Sequence, residues 1–331
     1  MLKSHPFACL TALCAALFIT LSANMPATAA GQYQYPQRPV RLVIPYPPGG
    51  AGDIVGRLLG NSLGAAMGQQ FVSDNRGGGG QIIATQISAN AAPDGYTLFL
   101  ASATHSINPA LRNNLPYDTL KAFAPITLVA ESPLVFVVHP SLKAANIREL
   151  IALAKTQPGR LNYASSGPGT GGHMSVELLK SLTGIDLVHI PYKGAGPALV
   201  DVVAGQVQII CTSPLPAMPH VKAGRLRALG MTSLQRSPAH PDVPPVADTV
   251  PGYQSTLWYA LLAPASTPQA IVKKVHAETV KVLAAPQMRE QLLSLGATPV
   301  GNSPQELQNF MRDEIAMWNK LVKQANIKLN P

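Results

Sequence analysis

The chain has 331 residues, 47% of them hydrophobic and 12% charged, with a formal net charge of +9. That length is ample for about two domains with buried cores, and with Cys9, Cys14 and Cys211 as its only cysteines a disulfide framework is excluded. The basic residues are scattered: Arg38, Arg41, Arg57, Lys121, Lys143, Lys155 and Arg160 form no stripe, and the Lys222, Arg225 and Arg227 cluster has no interleaved aromatic platform. This excludes nucleic acid as a partner and leaves a solvated surface mildly attractive to anionic solutes.

Residues 1–29 read as an export signal. Lys3 gives a basic start, 7–23 are almost uninterruptedly apolar, and Ala27-Thr28-Ala29 supplies small residues for cleavage before Ala30. The apolar run is short for a membrane span, and Cys9 and Cys14 lack the surroundings of a lipid anchor. No later stretch is long and uncharged enough to span, so a soluble mature chain of roughly 300 residues is expected.

The body of the chain alternates short apolar strands with amphipathic helices. A strand over 40–46 runs into Pro47-Pro48-Gly49-Gly50-Ala51-Gly52-Asp53, then a helix over 53–67. Next come a strand at 70–73, a helix at 80–91, strands at 97–101, 126–130 and 134–139, and a helix at 147–156. A strand at 161–165 runs into Gly167-Pro168-Gly169-Thr170-Gly171-Gly172-His173 and a helix over 172–183. Strands at 187–191, 207–211, 226–231 and 257–263 and helices at 197–204, 268–283, 286–295 and 304–324 complete the pattern. Alternation of this kind predicts α/β architecture, with mainly parallel sheets flanked by helices. Ser303-Pro304-Gln305-Glu306 spells a capping box, and Thr267-Pro268 repeats the cap-then-proline device. Gly184, Gly205, Gly224 and Gly296 follow helical patterns where left-handed caps are expected. The proline-dense segment 235–253 and the tripeptide Glu131-Ser132-Pro133 read as two crossovers of a hinge. They divide the chain into one discontinuous lobe, 30–132 plus 253–331, and an inserted lobe, 133–252.

The two glycine loops carry the chemistry. Each lets backbone approach a ligand, and each opens a helix whose free N–H groups and positive dipole end suit an anion. Gly167–Gly172 matches G-x-G-x-x-G, but Asp186 begins the following strand instead of ending it, so the ribose contact of a dinucleotide site is missing. His173 and Glu177 stand four apart on a helix without the further ligands that zinc requires; a capping or pocket-lining role is expected for His173. No serine sits in a G-x-S-x-G elbow, and Cys211 lies in an apolar strand. Asp53 reads as a helix N-cap, with a ligand contact as its alternative, and Lys193 as either a solvated or a ligand-facing residue. No catalytic residue, metal or cofactor is assigned.

These segments, together with Asp94-Gly95-Tyr96-Thr97-Leu98, Tyr117-Asp118, Leu161-Asn162-Tyr163-Ala164-Ser165, Pro191-Tyr192-Lys193-Gly194, Leu226-Arg227-Ala228-Leu229, Trp258-Tyr259 and Trp318, form an ordered set from Tyr35 nearly to the end. In that order the chain resembles the Bug, or TctC-like, substrate-binding proteins of tripartite tricarboxylate transporters. The resemblance implies a two-lobed periplasmic-binding-protein fold of Venus-flytrap, type II-like form, closing on a small mono- or dicarboxylate or a carboxylated amino acid. It implies a periplasmic monomer that docks on the transporter's membrane subunits, with no enzymatic activity. A sensor subunit for a signalling ectodomain and a secreted hydrolase are the alternatives. Carried over by position, the candidate ligand-binding residues are Tyr46, Gly50, Ala51, Gly52, Asp53, Ser102 and Asn108, and Ser166, Gly169, Thr170, His173, Tyr192 and Lys193. Three stretches depart from the family pattern. Asp74-Asn75-Arg76-Gly77-Gly78-Gly79-Gly80 lacks a proline and is expected to be looser. Gln208 stands where an acid is common, and Cys211-Thr212-Ser213 replaces an aromatic and acidic run.

Overall fold

A computed structural model describes residues 35–324 and Ile327; the expected export signal and its expected cleavage position lie outside the described residues. The elements in chain order are β1 (Val40–Ile44), α1 (Ala51–Met67), β2 (Phe71–Asn75), α2 (Ile82–Ala89), β3 (Thr97–Ser102), α3 (Ala103–Leu111), β4 (Phe123–Pro133) and β5 (Val135–Val138). There follow α4 (Ile147–Thr156), β6 (Asn162–Ser165), α5 (Gly171–Thr183), β7 (Val188–Pro191), α6 (Ala195–Val203), β8 (Ile209–Thr212), α7 (Pro214–Lys222) and β9 (Arg227–Met231). The chain ends with β10 (Thr256–Pro264), α8 (Gln269–Ala284), α9 (Pro286–Ser294), β11 (Thr298–Pro299) and α10 (Pro304–Gln324). Residues Arg38–Pro331 cluster as one compact unit; of the other, Met1–Gln37, only 35–37 are described.

Two sheets organise the elements. The first has the order β11-β4-β10-β3-β1-β2 and the second β7-β6-β8-β5-β9. The α/β class holds, but the sheets are mixed rather than mainly parallel. β1 pairs parallel with β2 and β3, and β6 parallel with β7 and β8, whereas β10 and β5 run antiparallel to both of their neighbours. The reason is connectivity. Parallel neighbours need a helical crossover, while β4 passes into β5 through the single residue Leu134 and β10 brings the chain back from the other sheet.

Helices cover the sheets, so the central strands are apolar on both faces: Leu98–Ala101 and Trp258–Ala263 are buried without interruption. One cluster of buried side chains runs from Phe99 and Leu128 through Leu134 and Trp258 to Phe136 and Tyr163, drawing on both sheets. At the crossing points, the Leu134 N–H donates to Thr232 Oγ1 (2.7 Å) and the Thr232 N–H to the Leu134 carbonyl (2.9 Å). Ser255 N–H then donates to the Thr232 carbonyl (3.2 Å), so the outward and return strands are bound side by side. The proline-rich return packs Val243, Val246, Val250 and Tyr253 into the interior, and the Tyr253 hydroxyl donates to the Ser175 carbonyl (3.0 Å).

Local signals held where they were self-contained. The Ser303–Glu306 box forms reciprocally, and α4 and α10 have the expected bounds. Thr267 does not cap α8; its hydroxyl turns back to the Pro264 carbonyl (2.8 Å). α1 begins two residues before Asp53, and α2 begins after Gly80 and Gln81, both of which adopt left-handed conformations. Helices α3 and α7 have no counterpart in the sequence pattern, because Pro109 in one and Pro216 and Pro219 in the other disguise them.

Phe136 is fully buried at the centre of β5. Phe136→Ala is expected to lower the free energy of unfolding by about 3–5 kcal/mol, measured by urea denaturation followed by circular dichroism. Val200→Ala, at a position 65% exposed, should leave the transition nearly unmoved.

Candidate functional site

The carboxyl ends of β1 and β3 in one sheet and of β6, β7 and β8 in the other converge on a cavity of about 480 Å³. This is the position at which open α/β sheets offer a crevice. The β1 loop contributes Pro45, Tyr46, Pro47 and 50–52, and the loop after β2 contributes Gly78, Gly80 and Gln81. From the other side come Ser166 and 170–172 after β6, 193–195 after β7, and 210–213 along and after β8. Leu134, Leu257 and Tyr259, at the crossing strands, form the base. A larger hollow of about 750 Å³ along Pro39, Gly60 and 68–72 carries no titratable side chain and lies away from these strand ends.

Helices α1, α3, α5, α6 and α7 all begin at this cavity, through Ala51, Thr104, Gly171, Ala195 and the capping position Ser213. At none of the five does an N-cap side chain bond the first turn. First-turn amides have no intrahelical acceptor, so their N–H groups and dipole ends give the wall a positive character; α7 contributes mainly its dipole end, because Pro214 and Pro216 carry no N–H. Glycine is required where these turns pack tightly. A Cβ on Gly52 would overlap the Tyr46 ring, and one on Gly172 would overlap the Cys211 carbonyl oxygen.

Both principal loops are braced in the same way. In the first, Asp53 Oδ2 accepts the Gly49 N–H (2.9 Å), four residues back, while Oδ1 accepts from Arg57 Nε (2.9 Å) and Asn75 Nδ2 (2.8 Å). Burial opposes ionisation of Asp53, but these hydrogen bonds and the Arg57 charge outweigh it and hold its pKa below the ordinary value. In the second, His173 Nδ1 accepts the Gly169 N–H (3.2 Å), also four residues back, which places the imidazole proton on Nε2. His173 stacks on His189 (ring centroids 4.2 Å apart), which stacks on Tyr163 (4.9 Å). His189 Nε2 pairs with Ser165 Oγ (2.6 Å), and Ser165 Oγ also accepts the Gly167 N–H (3.1 Å). Burial pushes His189 down to about 4 and His173 to about 3, so both rings are neutral at pH 7.

Of the candidate residues, Tyr46, Gly50, Ala51, Gly52, Ser166, Thr170 and Lys193 lie on the cavity wall. Asp53, Gly169 and His173 stand behind it as loop braces. Ser102 donates to Gln81 Oε1 (2.8 Å) and Asn108 Nδ2 to the Gly80 carbonyl (2.9 Å), so both support the third loop from beneath. The Tyr192 hydroxyl is taken by Asp201 (2.6 Å), a bond that raises its pKa to about 12. Gln208 accepts the Asn162 N–H (2.9 Å) and ties β8 to β6 away from the wall. The sequence reading missed Gln81, Thr104, Leu134, Ile210 and Leu257. Gln81 had one signal, a non-glycine residue closing a glycine run, and it takes the left-handed conformation (φ 72°) seen at constrained sites. The Cys211 thiol is pushed upward by burial, which removes it as a nucleophile. Among the described residues no group of three or more His, Cys, Asp or Glu side chains is placed to hold a metal.

Two outcomes follow from this geometry. Gly172→Ala must shift the start of α5 away from Cys211 and should weaken ligand binding at least about tenfold, measured by calorimetry on folded protein. Because His173 and His189 are held below 6.5, the unfolded chain takes up protons that the folded chain does not. Stability should therefore be full above pH 6.5 and fall as pH drops toward 4, and thermal melts of His189→Gln should show a shallower slope across that window.

The sequence pattern of the tripartite tricarboxylate transporter family receptor, TctC, matches residues 55–327. A solved structure of Rpa4515 from R. palustris with adipate superposes with a TM-score of 0.82 at 34% identity, covering 89% of this chain and 99% of that one. The periplasmic binding protein BugD gives 0.79 at 33% identity, with coverage of 89% and 99%. MatC from Rhodopseudomonas palustris with bound malate gives 0.78 at 32% identity, with coverage of 87% and 100%. Among the described residues no helix is long and apolar enough to cross a membrane. The chain therefore belongs to the TctC, or Bug, family of solute-binding receptors, whose members include periplasmic binding proteins.

Proposed function

We propose that this protein captures a small carboxylate in the cavity between its two sheets and delivers it to the membrane subunits of a tripartite tricarboxylate-type transporter. The observation that carries this reading is the convergence of five uncapped helix starts on one cavity with no acidic side chain among the described residues of its wall. Such an arrangement suits an anion. The adipate and malate held by the structural neighbours are anions of this kind. Residues 1–29 direct export and are removed near Ala29, and the mature protein works in the periplasm as a monomer.

The lobes of this reading are 30–132 plus 253–331 and 133–252. They move about Leu134 and the Thr232–Ser255 contact, where the bonded crossings sit. Carboxylate oxygens bound to loops of both lobes stabilise the closed form over the open one, and the membrane partner reads closure. Binding is the whole activity. Ser165, the hydroxyl paired with a histidine, is fully buried and bonded to the Gly167 backbone, an arrangement suited to holding the loop rather than attacking a substrate.

Calorimetry of the mature protein against adipate, malate, succinate, glutarate, benzoate and glutamate tests the reading. At least one should bind with micromolar or tighter affinity and compact the protein in small-angle scattering. Silence across the set would remove the carboxylate assignment.

A further inference from the structure

We infer that the cavity selects carboxylic acids with an apolar body and no ammonium group, so that among acids of equal length the amine-free one is its ligand. The inference rests on the carboxylate-receptor reading and narrows it. An ammonium ion removed from water needs a nearby carboxylate or a ring of oriented acceptors. Of the described residues lining the cavity, the one with a charged side chain is Lys193, a cation that has no ion pair within the described residues.

The acids nearby in sequence are already engaged. Both oxygens of Asp53 are bonded behind the first loop to Gly49, Arg57 and Asn75. Glu177 Oε1 accepts from Tyr163 (2.6 Å) and Lys180 (2.9 Å), and Asp201 accepts from Tyr192. The amide oxygen of Gln81 is occupied by Ser102. Neutral hydroxyls on the wall, such as Ser166 and Thr104, can accept a hydrogen bond but cannot neutralise a cation. The dipole ends of the helices and Lys193 act together, favouring carboxylate oxygens and repelling an α-ammonium held among them.

Hydrocarbon forms another part of the wall, beside the hydroxyls of Thr104, Ser166, Thr170, Thr212 and Ser213. Leu134, Ile210 and Leu257 face the cavity, and Tyr46 and Tyr259 meet edge to face with ring centroids 6.4 Å apart. A ligand body of methylene or ring carbon matches the leucine, isoleucine and tyrosine surface, whereas a polyhydroxylated one would set hydroxyls against it and lose that apolar contact.

The test is calorimetry of the mature protein with matched acids: glutarate against glutamate, adipate against 2-aminoadipate, 3-phenylpropionate against phenylalanine, and adipate against galactarate. In every pair that binds, the amine-free or hydroxyl-free member should be tighter by at least about tenfold. Lys193→Met should narrow the difference within the amine pairs, and an unchanged difference would remove Lys193 from the selection. An amino acid binding as tightly as its deaminated partner, or galactarate as tightly as adipate, would overturn this inference and leave the receptor reading intact. Failure of every acid to bind would remove the receptor reading itself, and this inference with it.

Discussion

Backbone N–H groups at the start of a helix must find an acceptor, and this protein gathers four such starts around one cavity, those of α1, α3, α5 and α6, with no N-cap side chain to accept from them. That constraint orders the rest of the molecule. The parallel strands of both sheets end on the same crevice because helices begin where those strands stop. The glycines at 52 and 172 exist because the turns approach Tyr46 and the Cys211 backbone too closely for a Cβ. Acidic side chains near the loops are turned away and bonded elsewhere, since a carboxylate on the wall would itself become the acceptor.

Holding the donors in place takes a second set of interactions, repeated across the two halves with different chemistry. A residue at the third helical position reaches back four residues to a glycine N–H, as a carboxylate at Asp53 and as a neutral imidazole at His173. The carboxylate stays ionised because Arg57 and Asn75 support it. The imidazole stays neutral because it is buried against His189 and Tyr163, and neutrality is what makes Nδ1 an acceptor. Neither side chain is among those lining the cavity; each acts on a loop that does line it.

The crossing strands explain how a two-sheet protein shares one buried apolar cluster. β4 and β5 are separated only by Leu134, and Thr232 and Ser255 bind the return path to it. Leu134 and Leu257 also reach the cavity base, so the same short segments link the sheets and line the site. Antiparallel pairing by β5 and β10 is the geometric result of passing directly between sheets without a covering helix.

Hydrophobic periodicity, proline and glycine punctuation and the capping box are local, and they determined most elements, the α/β class and the two loops from sequence alone. The same locality hid α3 and α7, whose prolines fall where a short helix tolerates them. It also could not show the hydrogen-bond partners of Asp53, Tyr192, Ser102 and Asn108, because each partner is distant in sequence or on the far side of its loop: Asn75, Asp201, Gln81 and Gly80. Which residues face the cavity was decided by the tertiary structure, through the competition of non-local partners for each polar atom and through the meeting of strand ends from two sheets. The sequence determined that helix amides would be offered to an anion; only the fold decided that Lys193 would be the one charged side chain among the described residues of the wall, and that Leu134, Ile210, Leu257, Tyr46 and Tyr259 would join the loop hydroxyls there, because burial and orientation are properties of the packed chain.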